Sequence, residues 1–88
     1  MDVRELDDEM IRGARTRLRR VAGQIRAVER MLEEGDDCEQ VLRQIAAASK
    51  ALRRVGVLIA VDGVERCVRG PDTAEDLERF RRAFVELT

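Results

Sequence analysis

Eighty-eight residues make one domain, and with two phenylalanines and no tyrosine or tryptophan that domain buries little surface by itself. Histidine is absent, which removes the commonest transition-metal ligand and the usual general base. The net charge of −1 argues against nucleic acid only as a sum, because the charges are segregated along the chain.

Residues 1–7 are acidic and aperiodic and are expected to form a flexible N-terminal tail ahead of a single helical domain, 8–88. Asp7 or Asp8 is a suitable N-cap. From there Ile11, Ala14, Leu18, Val21, Ile25, Val28 and Leu32 recur at three- and four-residue steps, a heptad seam that predicts a helix to about Glu34. Gly35 suits the helix end, where a left-handed backbone is common.

Asp36 and Asp37 offer caps for a second helix with Cys38 in its first turn. Its seam is Cys38, Val41, Ile45, Ala48, Leu52, Val55 and Ile59, and it stops near Gly70-Pro71. Asp72 with Glu75 resembles a capping box for a short third helix carrying Leu77, Phe80, Phe84 and Leu87. The expected fold is all-α: a three-helix subunit whose two long antiparallel helices pair with a second copy as a dimeric four-helix bundle, the third helix packing at its ends. No apolar run is long enough to span a membrane, so a cytoplasmic protein is expected.

Cys38 and Cys67 are 29 residues apart. On one continuous helix that brings them to within about 20° around the axis but about 43 Å apart along it. A disulfide needs Cα atoms within about 7 Å, so the thiols cannot meet inside one chain. Two copies packed antiparallel about an axis near Leu52 and Arg53 would bring Cys38 of one against Cys67 of the other, twice. The plain alternative is two small buried core residues. As chemistry, two thiols serve thiol–disulfide or persulfide reactions. They provide poorly for zinc, which wants four ligands, and poorly also for copper(I), which accepts fewer and remains an alternative. Gly63, one turn before Cys67, removes a side chain where a third ligand would project and is expected to leave room for inserted sulfur atoms. No catalytic constellation accompanies the thiols, and neither a cofactor nor a bound metal is expected.

The arginines are the second feature. Arg12 to Arg30 contains seven arginines and one acid, Glu29, and Arg43 to Arg54 adds four basic residues and no acid. A solvated helix face usually mixes signs in i,i+4 pairs. A one-signed run on helices that pack together favours a polyanion, read through phosphate contacts and duplex shape, since no helix-turn-helix spacing or aromatic platform is present.

These residues carry a resemblance. Arg17-Leu18-Arg19-Arg20-Val21-Ala22-Gly23-Gln24-Ile25-Arg26 is similar to the RLKRIEGQVRG signature of the CsoR/RcnR family of bacterial transcriptional repressors. Cys38, Gln44-Ile45-Ala46-Ala47, Lys50-Ala51-Leu52 and Cys67 continue it in register, so the likeness covers roughly residues 10–70. It implies a homodimer, assembled further to a homotetramer, that binds operator double-stranded DNA and releases it on sensing an inducer. It implies DNA contacts at Arg17, Arg20 and Gln24, and at Arg53 and Arg54. The chain departs from the signature at Ala22 and Ala27. Copper-sensing members have a histidine where this chain has Gly63, nickel and cobalt sensors need more histidines, and formaldehyde-sensing members lack the second cysteine. What remains resembles the persulfide-sensing, CstR-like branch, with Cys38 and Cys67 as sensor thiols and reactive sulfur species as inducer. Copper(I) sensing is the alternative.

Overall fold

The computed structural model describes residues 1–70 and 74–87. Asp7 starts the first helix: its carboxylate accepts the Met10 N–H at 2.9 Å, and α1 follows as Asp8–Glu34. Gly35 ends it at φ +90°, a backbone that side chains with a β-carbon rarely adopt, and donates its N–H to the Met31 carbonyl at 2.9 Å. Asp37 caps α2 by accepting the Glu39 N–H at 3.1 Å. α2 then runs without interruption as Cys38–Arg69 and closes where the Gly70 N–H meets the Arg66 carbonyl. The short third helix, α3, is Ala74–Val85. The expected stop at Pro71 and the Asp72 half of the expected capping box lie outside the described residues. All regular structure among the described residues is helical.

α1 and α2 pack as an antiparallel hairpin, and the two seams divide between its inside and its outside. Ala14 and Val21 on α1 meet α2 through Ala48 and Val55, and all four are buried. The alternate seam members, Leu18, Ile25 and Leu32 on α1 and Ile45 and Leu52 on α2, remain exposed on one side of the hairpin. The Cα atoms extend 53 × 24 × 13 Å, so the chain is a thin slab. Its core is a strip of small residues, and half of each heptad seam has nothing to pack on. This is why so long a hairpin in so short a chain calls for a second layer.

Residues 1–7, expected to be loose, have a defined place. Asp2 caps a single 3-10 turn, Val3–Glu5, in a reciprocal capping box with Glu5. Leu6 behind it is 6% exposed. The Asp7 N–H donates to the Asp62 carboxylate at 3.0 Å, and Arg66 reaches Glu5 at 3.3 Å. The start of the chain is thereby clasped to the C-terminal part of α2. Sequence pattern misses this because seven residues are too few to show a period, and the partners of Glu5 and Asp7 lie more than fifty positions away.

α3 doubles back along the C-terminal half of α2. A β-carbon on Gly63 would fall 2.4–3.2 Å from ring atoms of Phe80, and one on Gly56 would fall 2.8 Å from the Leu87 methyls. Both glycines and both knobs are seven residues apart, in opposite directions. The C-terminal segment is thus keyed onto α2 by two side chains in two notches, Phe80 of α3 and Leu87 just beyond its end.

Candidate DNA-binding face and thiol pair

Arg17, Arg20 and Gln24 are spaced three and four residues apart and share one face of α1. α2 crosses beside them with Ala51 and Arg54, also three apart. These five residues line one concavity of about 270 Å³. The structure therefore brings together four of the five residues that the family resemblance assigns to DNA. The fifth, Arg53, is exposed but points about 100° away from Arg54 around α2 and does not line the concavity. Ala51 was not anticipated as a lining residue. Its position one turn before Arg54 was the available signal, and its small side chain keeps the floor open between the guanidinium groups.

The charge balance around this concavity is one-signed. Ion pairs join Arg4 to Asp2, Arg43 to Glu39, Arg66 to Glu5, Arg79 to Asp76, and Arg81 and Arg82 to Glu78. Among the described residues, none involves Arg17, Arg20, Arg53 or Arg54. Acids in the N-terminal segment and in α3 neutralise their own arginines locally, and the middle of the hairpin keeps its positive charge. Arginine in a fork geometry, beside an amide donor and acceptor, suits phosphate oxygens and base edges.

The thiols lie elsewhere. Both are free: Cys38 is exposed in the first turn of α2, and Cys67 is buried near its end. Because α2 is continuous between them, the separation of about 43 Å stands, and no bond between them can form within one chain. Cys38 shares its side of α2 with the exposed Ile45 and Leu52, on the open face of the hairpin. The expected room at Gly63 is absent: the Phe80 ring fills it. Among the described residues no three His, Cys, Asp or Glu side chains converge to hold a metal ion.

A helical hairpin with an uncompensated arginine face and a separate pair of free thiols has the parts of a regulator that binds an anionic polymer at one place and reacts at another. The comparisons agree with that class. Residues 12–86 match the family described as metal-sensitive transcriptional repressor. The copper-sensing transcriptional repressor CsoR of Bacillus subtilis is 35% identical over 71 residues, covering 81% of this chain and 70% of CsoR. The chain belongs to this family of transcriptional repressors. The copper-sensing transcriptional repressor RicR of Mycobacterium tuberculosis is 46% identical over 52 residues, which span 59% of this chain and 54% of RicR. The uncharacterized protein YrkD of B. subtilis is 36% identical over 58 residues, 65% of this chain and 92% of YrkD. No solved structure gives a significant match. Among the described residues no helix is long and apolar enough to cross a membrane.

Proposed function

We propose that the chain is a cytoplasmic repressor that binds operator DNA through Arg17, Arg20, Gln24 and Arg54, with Arg53 at the margin. We further propose that it is relieved of DNA by reactive sulfur acting on Cys38 and Cys67. The observation that carries the sulfur reading is the donor set: two free thiols, no histidine, and a Gly63 position filled by Phe80. Two chains packed antiparallel on their open faces bring Cys38 of one to the end of α2 in the other where Cys67 lies buried, and two such dimers form the tetramer.

In this reading the exposed Cys38 thiolate takes the outer sulfur of a persulfide donor, giving Cys38–S–SH and releasing the donor as its thiol. The partner thiolate attacks the Cys38 sulfur and expels hydrosulfide, leaving an interchain disulfide. If the second cysteine has also been persulfidated, its terminal sulfur makes the same attack and the bridge is a trisulfide. Either bridge ties the C-terminal half of one α2 to the start of the other and changes the spacing of the two arginine faces. No enzymatic activity is proposed.

A second reading, copper(I) sensing, is favoured by the names of RicR and CsoR. Copper(I) accepts two soft thiolates, so the same pair serves it, without a third ligand. Mass spectrometry of the intact protein after separate exposure to persulfide and to copper(I) divides the two, paired with a DNA-release assay. Interchain products with the mass of a disulfide-linked pair of chains, or heavier than that by whole sulfur atoms, with DNA released, support the first reading. Full DNA release by stoichiometric copper(I), with no cross-link after persulfide, replaces it with the second.

A further inference from the structure

Residues four apart on a helix stand one above the other, with β-carbons about 5–6 Å apart. Position 63 is therefore where α2 itself would offer a second donor beside the Cys67 sulfur. The residue there is Gly63, and the space its side chain would take is filled by the Phe80 ring from α3. The fit is not incidental. Leu87 fills the notch at Gly56 in the same register, so α3 is held at two points, and Cys67 is left 7% exposed.

We propose that Phe80 is a specificity-determining residue: its ring closes the third-donor position beside Cys67, so the site offers one sulfur from this helix and excludes any ligand set that needs a neighbour at position 63. This deepens the sulfur reading and rests on Cys67 being a sensor thiol. The contact itself, however, can be tested without any inducer. Phe80 binds nothing and reacts with nothing. It acts by occupying volume and by restricting approach to Cys67, and with the ring in place a donor introduced at position 63 has nowhere to point.

The experiment uses the full chain and two readouts. The first is the rate of Cys67 alkylation by iodoacetamide in a Cys38→Ser background, followed by mass spectrometry. Phe80→Ala is expected to raise the rate about tenfold, because a buried thiol reacts only as fast as it is reached. Leu87→Ala, which loosens the far end of α3, is expected to leave it within about twofold. The second readout is copper(I) affinity by competition with a chromogenic chelator. Gly63→His alone is expected to change it little, whereas Gly63→His with Phe80→Ala gains about tenfold or more, since imidazole can then join the thiolate. Circular dichroism checks that each variant keeps its helix content. The proposal stands only if both results hold. Equal alkylation in the two alanine variants reduces α3 to a general cover. A Gly63→His gain as large as that of the double variant means the ring closes nothing. Either result overturns the proposal. If both readouts behave as expected but persulfide gives no cross-link, the sulfur reading fails and the role of Phe80 survives.

Discussion

Cys38, Ile45 and Leu52 lie on the same side of α2 as Gly56, Gly63 and Cys67, within about 60° around the axis. The first three are exposed, whereas Gly63 and Cys67 are buried and Gly56 is half-buried. The difference lies in which chain supplies the cover. In the C-terminal half the residues are small, and the chain's own α3 comes close enough to set a ring and an isobutyl group into glycine notches. In the N-terminal half Ile45 and Leu52 are large, and they stay about half exposed. Small residues let a tethered helix approach; large ones are left to fill the space against a separate molecule. One face of one helix thus carries an intramolecular contact at one end and an unfilled one at the other, with a thiol at each.

The comparison breaks most severely at Leu52. Leu52→Glu places two carboxylates near the proposed two-fold axis and is expected to cost assembly about 3–5 kcal/mol, the range for an unpaired charge in a buried contact. Sedimentation at micromolar concentration should show monomer. A dimer that survives removes the N-terminal half from the interface. At the other end, Gly56→Leu drives a side chain into Leu87 and is expected to cost about 1–3 kcal/mol, as overpacking does, read as a lowered Tm. Because this contact is internal, assembly should persist in Gly56→Leu, whereas Leu52→Glu abolishes it. Ala51 and Arg54 lie about 120° or more from the Cys38 side of α2, so the basic concavity should answer to neither change. Arg17→Ala or Arg20→Ala should weaken DNA binding and flatten the log–log salt dependence by about 0.9 per lost phosphate contact, with assembly intact. An unchanged slope in the double variant excludes this face.

The smallest effect belongs to the N-terminal clasp. The Glu5 carboxyl is held below its usual value of 4.5, first by the Asp2 N–H and then by Arg66. A group lowered on folding contributes stability above its unfolded value, and that contribution is lost as the pH falls through the folded one. Glu5→Gln should therefore lower the Tm slightly at neutral pH and make no difference in acid, below the range where Glu5 titrates. Because Glu5 is exposed, the effect at neutral pH should shrink further in high salt.

The elements themselves were legible. Heptad steps marked both long helices; Asp7 or Asp8 and Asp36 or Asp37 offered their starts, of which the structure uses Asp7 and Asp37, and Gly35 and Gly70-Pro71 marked the ends. A heptad seam does not say which of its alternate positions faces the hairpin partner. Ala14 and Val21 could equally have lain outside and Leu18 and Ile25 inside until α2 was seen against α1. Arg17, Arg20, Gln24, Arg53 and Arg54 came from the family resemblance, and only the crossing of α2 set Arg54 beside the first three and left Arg53 aside. Gly63 was noticed, but its occupant was not, because nothing local to α2 says that α3 doubles back. The signal was there in matched intervals, Gly56 to Gly63 and Phe80 to Leu87.

The thinness of the slab has a consequence in time. α1 and α2 are joined by a short turn, so the hairpin closes within one chain and should form quickly whatever the dilution. The exposed side of Leu18, Ile25, Ile45 and Leu52 can be covered only by collision with another molecule. Refolding should therefore show two phases, a fast one indifferent to protein concentration and a slower one that accelerates with it. The apparent melting temperature should climb as the sample is concentrated.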